Sequence, residues 1–259
     1  MESVERAVPT AAPGAGRVLA LRARELFRVY PRALVGKVEA VHDLRVAARR
    51  LRVALTLLAG KPNGRRARRA QRTLRALAAA AGRGRHLDVG IAILEAQPAA
   101  VGVGHDRLKR ALRASRARAR VLSREALLDL DIARLRRDLR ACAAYTGVDR
   151  DVILGRLAAL QQSEETTIAQ ELSTNQRRPD TDALHGARRS ARRLRYAAEI
   201  ADLLQGTHSG APDTWRLRQN RLGEIQDRYV LAAWLESRRK RAVAPTEAPS
   251  VAARMTQPA

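Results

Sequence analysis

The chain has 259 residues, 46% of them hydrophobic, and its 50 basic residues outnumber 26 acidic ones, for a formal net charge of +24. This hydrophobic content supports a folded core and excludes a basic disordered tail as the whole molecule. All but four of the basic residues are arginines, whose planar guanidinium groups bind phosphate through paired hydrogen bonds, so the expected partner is a polyanion.

The chain is predicted to be all-α. Apolar residues recur at intervals of three and four almost throughout, and the helix-favouring residues Ala, Leu and Arg dominate. Breakers such as Pro31, Gly82 and Pro98 separate the elements. Residues 1–16 and 242–259 are predicted to be disordered. In chain order, the predicted helices span 17–30, 33–59, 65–81, 86–97, 104–126, 131–144, 149–174, 181–204, 213–225 and 228–241.

A segment near the start of the chain is repeated without a gap near its end. Residues 41–54, VHDLRVAARRLRVA, align with residues 184–197, LHGARRSARRLRYA. A weaker similarity follows each copy, with GRGRHLDV at 82–89 and GEIQDRYV at 223–230. The duplication predicts a domain over 17–241 made of two related helical bundles, 17–145 and 149–241, packed about a pseudo-twofold axis.

Each copy of the repeat, drawn as a helix at about 100° per residue, separates an apolar stripe from a basic one. Like charges on one stripe repel one another, so we interpret the basic stripes as a groove that contacts an external anion. The apolar stripes are Leu44, Ala47, Ala48, Leu51, Leu55 and Leu58 in the first copy, and Ala187, Ala191, Leu194 and Ala198 in the second. The basic stripes are His42, Arg45, Arg49 and Arg52, and His185, Arg188, Arg192 and Arg195.

Other interpretations of the same residues stay open. Arginine-rich helix faces are usually solvated surface, with the aliphatic stems covering apolar neighbours. His42 and His185 are equally well explained as structural residues that hydrogen-bond at the start of a helix. Glu199 falls within the second basic stripe and is expected to neutralise one of its arginines. The arginine run at 65–75 is expected to contribute less to binding than the stripes.

The repeated motif resembles the CHAD domain, the conserved histidine α-helical domain. The resemblance covers roughly 17–241 and is carried by HDLRVAARRLR at 42–52, its repeat HGARRSARRLRY at 185–196 and LGEIQD at 222–227. It implies a compact protein of two related bundles, whose basic central surface binds inorganic polyphosphate and directs the protein to polyphosphate granules. The family's binding residues would correspond to the two basic stripes. The first late motif departs from the family pattern, because His86 follows Arg85 where an Arg-Asp pair is usual.

The leading hypothesis is a non-catalytic, cytoplasmic polyphosphate-binding protein without a cofactor or metal. No apolar run is long enough to span a membrane, and the single cysteine, Cys142, excludes a disulfide framework. A nucleic-acid binder is the alternative, disfavoured by an aromatic content of only 3%. The third hypothesis is a phosphoanhydride hydrolase with a metal at His42 and Asp43, which is weak because Gly186 replaces the aspartate in the second copy.

Overall fold

The computed structural model describes residues 14–96, 102–145, 148–177 and 181–225, and these form nine helices. The fold is all-α, as predicted, and the described residues contain no strand. The helices are α1 (Ala15–Leu34), α2 (Val38–Leu58), α3 (Arg65–Ala80), α4 (Arg85–Ala96), α5 (Gly102–Leu128), α6 (Ile132–Ala143), α7 (Arg150–Arg177), α8 (Thr181–Gln205) and α9, described over 211–225. None of the described helices is long and apolar enough to cross a membrane.

The main difference from the predicted helices is at Pro31, which was expected to end the first helix. Instead α1 continues through Pro31 to Leu34 and begins at Ala15, two residues before its predicted start. A proline near the end of a helix removes only one of the last hydrogen bonds, so the helix can continue past it. The turn comes at Gly36, whose φ of +79° suits glycine. The predicted helix at 228–241 and the tail at 242–259 lie outside the described residues, as does 1–13.

Helix α2, which carries the first copy of the repeat, lies at the centre of the molecule. It packs most extensively against α1 and also contacts α3, α7 and α8. Helix α8, which carries the second copy, packs mainly against α7 and also contacts α1 and α2. The two copies of the repeat therefore lie beside each other. Helix α3 packs against α2, and α6 packs against α3 and α1.

One continuous core connects the two predicted halves. The whole predicted apolar stripe of α2 is buried, and Val53, Ala54 and Leu57 on its other sides are buried as well. The same cluster of side chains includes Ile153 of α7 and Ile200 of α8. Because the two halves bury each other's apolar surface, burial stabilises them together.

Arg156 fixes α7 to the C-terminal end of α2. Its guanidinium donates to the carbonyl oxygens of Leu57 at 3.0 Å and Ala59 at 2.8 Å. The last carbonyls of a helix lack partners within the helix, and a cation there also interacts favourably with the helix dipole. This contact holds α7 along the side of α2 and so forms one wall of the groove described next.

Candidate functional site

A groove of about 710 Å³ lies between α2, α3, α7 and α8, and we call it the arginine groove. The buried residues Leu160 and Tyr196 are part of its lining, and α7 forms a wall that contributes no arginine. Six arginines line it, whereas the acidic residues in its lining are Glu164 and Glu171. These arginines are Arg49 and Arg52 of α2, Arg75 of α3, and Arg189, Arg192 and Arg193 of α8.

Arg49 and Arg192, one from each copy of the repeat, are the most strongly perturbed groups of the groove. Burial, together with the charges of Arg192 and Arg45, lowers the pKa of Arg49 to about 9. Burial and the charges of Arg45 and Arg188 likewise lower the pKa of Arg192 to about 10. In the described part of the chain neither Arg49 nor Arg192 forms an ion pair with a carboxylate. Two mutually repelling cations in a half-buried groove favour the entry of an anion.

Arg52 extends the positive charge toward α3. Burial and the charges of Arg75 and Arg193 lower the pKa of Arg52. Its Nε donates to Oε1 of Gln71 at 3.3 Å, and the amide of Gln71 donates in turn to the backbone carbonyl of Arg52 at 2.8 Å. This exchange fixes the guanidinium at the edge of the groove and leaves it no carboxylate partner among the described residues.

The α7 wall adds two carboxylates that the sequence analysis missed. Glu164 is buried and pairs with the half-exposed Arg193 at 2.5 Å. Glu171 lies against the backbone of Gly186, where a Cβ would be 2.7 Å from the Glu171 carboxyl carbon. The glycine that replaces Asp43 in the second copy thus makes room for an acid from another helix. No spacing within the repeat indicates this contact, because α7 is not part of the repeat.

The structure distributes the predicted site residues over three places. Arg49, Arg52 and Arg192 line the arginine groove. His42 and Arg45 line a smaller depression of about 80 Å³ between α2, the turn before α4, and α5. His185, Arg188 and Arg195 line neither cavity; His185 is exposed and the other two are partly buried.

The small depression is also basic, and its arginines other than Arg45 come from outside the repeat. Arg116 of this lining lies 3.7 Å from the carboxylate of Asp88. Arg45 connects the depression to the arginine groove, because its charge acts on both Arg49 and Arg192. The other arginines of the depression are Arg83, Arg120 and Arg124.

The two late glycines pack against equivalent arginines of the two copies. A Cβ on Gly82 would lie 3.6 Å from Cζ of Arg45, and one on Gly223 would lie 2.9 Å from Cζ of Arg188. Gly82 belongs to a turn and Gly223 to α9, so the backbones differ while the contact is the same. In both late motifs, therefore, the glycine backbone lies close to an arginine of the basic stripe. The sequences of the two motifs alone do not reveal this contact.

Glu199 forms the expected ion pair with one arginine of its own stripe, Arg195, but its shortest contacts are with another helix. It accepts hydrogen bonds from Arg50 of α2, with Nε at 2.7 Å and a terminal nitrogen at 2.9 Å. Arg22 of α1 and Arg195 of α8 lie at 3.4 Å and 3.6 Å from it. Arg195 also lies over the ring of Tyr196, at 4.8 Å from its centroid. Arg195 thus belongs to a network that joins three helices behind the groove.

One arginine of the 65–75 run reaches the arginine groove. Arg75 is part of the groove lining, and the smaller contribution of the run to binding stays a prediction. Arg69 forms a two-bond ion pair with Asp138, which is buried. Among the described residues, no three His, Cys, Asp or Glu side chains are grouped in a way that could hold a metal ion.

The family model described as CHAD domain matches residues 17–236, which is most of the chain. Neither a curated protein nor a solved structure shows a significant match.

Proposed function

Since the chain belongs to the CHAD family, we propose that it binds inorganic polyphosphate in the arginine groove and catalyses no reaction on it. The observation that carries the proposal is the pair Arg49 and Arg192, two half-buried guanidinium groups with strongly lowered pKa values and no carboxylate partner in the described chain. An anion between them replaces repulsion with charge-assisted hydrogen bonds.

The length of the basic surface favours a polymer over a single phosphate. Arg52 and Arg75 lie at one end of the groove, and Arg45 with His42 continues it at the other. Guanidinium groups in succession match a chain of evenly spaced phosphates, each able to accept two parallel hydrogen bonds. Association with polyphosphate granules follows as the cellular part of the proposal.

A nucleic acid would bind the same arginines through its phosphates, but its bases would need other contacts. Base recognition in single strands relies on exposed aromatic rings, whereas Tyr196, the aromatic residue of the groove lining, is 2% exposed. The groove therefore offers contacts for phosphates and no platform for bases. We accordingly expect polyphosphate to be preferred.

The test is a competition measured by fluorescence anisotropy. Labelled polyphosphate is bound at physiological salt and then displaced by unlabelled polyphosphate, duplex DNA or RNA at equal phosphate concentration. Affinity should fall steeply with salt, as in other phosphate contacts that release counterions. Selectivity decides the matter: an equal or greater preference for nucleic acid contradicts the proposal.

Matched variants separate the groove from diffuse charge. In the groove variant, Arg49, Arg75 and Arg192 are replaced by Gln. Its affinity should fall about a hundredfold or more, because each charge-assisted bond contributes about 1.5–3 kcal/mol when desolvated and less when exposed. The control variant replaces the exposed Arg65, Arg68 and Arg72 of α3, which removes the same charge outside the groove. Equal losses in the two variants would mean that no defined site exists.

Two further measurements test the absence of catalysis and the role of the histidines. Incubation with polyphosphate and Mg²⁺ or Mn²⁺ should release no orthophosphate above background; metal-dependent release abolished by His42→Ala would instead support the hydrolase hypothesis.

If His42 contacts the ligand, binding should tighten as the pH falls from about 8 to about 6, because protonated imidazole adds positive charge. Binding that does not change over this range assigns His42 a structural role.

A further inference from the structure

A second group of arginines lies between α3 and α6, away from the arginine groove. It surrounds a depression of about 330 Å³, whose lining is polar apart from Ala141 and the arginine stems. We call this group the arginine cluster; it consists of Arg66 and Arg69 of α3 with Arg134 and Arg137 of α6, around Asp138.

Asp138 forms an ion pair with one of these arginines, Arg69. It is 4% exposed, and its two carboxylate oxygens accept hydrogen bonds from Nε and a terminal nitrogen of Arg69. The hydrogen bond from Arg69 and, more weakly, the charges of Arg134 and Arg66 hold the pKa of Asp138 below its usual value. The pair fixes Arg69 in place and neutralises it, so the remaining three arginines give the depression an excess of positive charge.

Those three arginines are exposed, and none of them forms an ion pair with a carboxylate in the described chain. They come from two helices held together by a buried ion pair, so their guanidinium groups converge on a fixed depression. A small oxyanion with several acceptor oxygens satisfies such an arrangement better than an apolar group does.

The arginine cluster and the arginine groove lie on opposite sides of α3. At about 100° per residue, Arg66 of the cluster and Arg75 of the groove point about 180° apart on that helix. The neighbours confirm the separation, because the cluster is completed by α6 whereas the groove is completed by α2, α7 and α8. A phosphate chain lying in the groove therefore leaves the cluster accessible.

We infer that the arginine cluster is a second, independent site for phosphate groups, through which one molecule holds two polyphosphate segments at once. The second half of this statement rests on the function proposed above for the groove; the phosphate site itself does not. A protein with two such sites on opposite faces links polyphosphate chains to one another, as expected for any bivalent binder.

Isothermal titration with tripolyphosphate tests the site directly. The full chain should bind two molecules, and a cluster variant with Arg66, Arg134 and Arg137 replaced by Gln should bind one. Arg69 and Asp138 are left unchanged in this variant to preserve the ion pair, and circular dichroism with thermal unfolding should match the native protein. The groove variant should also bind one molecule. A cluster variant that binds as many molecules as the native protein overturns the inference.

A sandwich assay tests the linking of chains. Biotinylated polyphosphate is immobilised and saturated with protein, and a fluorescent second chain is then added. The cluster variant should bind the immobilised chain as the native protein does. It should retain about tenfold less of the second chain, because three arginines that would pair with phosphates are lost. Equal retention by the cluster variant overturns the inference, as does stronger displacement of the second chain by poly-glutamate than by polyphosphate. Failure of the cluster variant to load, while the native protein loads, refutes the groove function instead, and the titration then decides the cluster alone.

Discussion

Replacement of Arg49 by Gln should make the protein more stable while it weakens binding. Burial and the charges of Arg192 and Arg45 lower the pKa of Arg49 from its ordinary value to about 9. At 1.36 kcal/mol per pKa unit, this sets an upper limit of roughly 5 kcal/mol on the destabilisation that the charged group causes. Because the side chain is partly exposed, solvent screening reduces the expected gain on replacement to about 1–2 kcal/mol.

The free energy of unfolding is best measured in urea, since an ionic denaturant would screen the repulsion itself. A gain of this size corresponds to an increase in Tm of roughly 2–8 °C for a chain of this length. Arg49→Lys is the matched control, because it keeps the charge and most of the stem while losing the planar fork. It should show little gain in stability, yet still bind polyphosphate less tightly than the native protein.

Salt provides an independent signature of the same repulsion. Added salt should stabilise the native protein more than Arg49→Gln, because the variant has less repulsion left to screen. The reasoning is refuted if Arg49→Gln is no more stable than the native protein, or if Arg49→Lys is stabilised as much as Arg49→Gln. Either result would mean that Arg49 is solvated well enough for its neighbours not to matter.

Three further predictions concern the residues around the groove. Glu199→Ala should lower the free energy of unfolding by about 3 kcal/mol or more in urea denaturation, because the three arginines around that carboxylate lose their shared partner. A loss below about 1 kcal/mol would contradict a structural role for the ion-pair network around Glu199. Glu164→Gln should release Arg193 for ligand and raise polyphosphate affinity severalfold by anisotropy, and unchanged or weaker affinity would show that this ion pair does not compete with the ligand. Gly16→Ala should lower the free energy of unfolding by about 1–3 kcal/mol, measured by thermal unfolding, because the added Cβ would overlap a backbone carbonyl of α6. The control, Gly155→Ala, has open space around it and should be neutral or stabilising. Equal effects of the two substitutions would refute the close approach of α1 to α6.

The sequence was informative where structure depends on local periodicity. The alternation of apolar and basic residues correctly located α2 and α8 and the buried stripe Leu44 to Leu58, because a helix places residues on faces by spacing alone. The duplication further indicated that these two helices matter together, and the structure places them in contact. Pro31 was misjudged because its position within the last turn, not its identity, determines whether the helix continues.

The composition of the candidate site was harder to predict because it depends on contacts between distant segments. Arg75 enters the groove through the packing of α3 on α2, and nothing in its own run of arginines distinguishes it from Arg72. Arg195 repeats the spacing of Arg52 but lies beside Glu199, so equal positions in the two copies acquired unequal surroundings. The depression that contains His42 likewise includes arginines of α5, which no feature of the repeat indicates.

The contact between Gly186 and Glu171 has an evolutionary consequence. A side chain at position 186 would meet the carboxylate of Glu171 where it now lies, so a larger residue at 186 requires Glu171 to move or to be replaced. At this position of the repeat the first copy has an acid of its own, Asp43, whereas the second copy has glycine and contacts an acid of α7. Across related chains, a long acid at the position of Glu171 should accompany glycine at 186, and a side chain at 186 should accompany a shorter residue on α7. Divergence after the duplication would then have proceeded by paired substitutions between neighbouring helices, with α7 setting which side chains α8 tolerates at this position of the repeat.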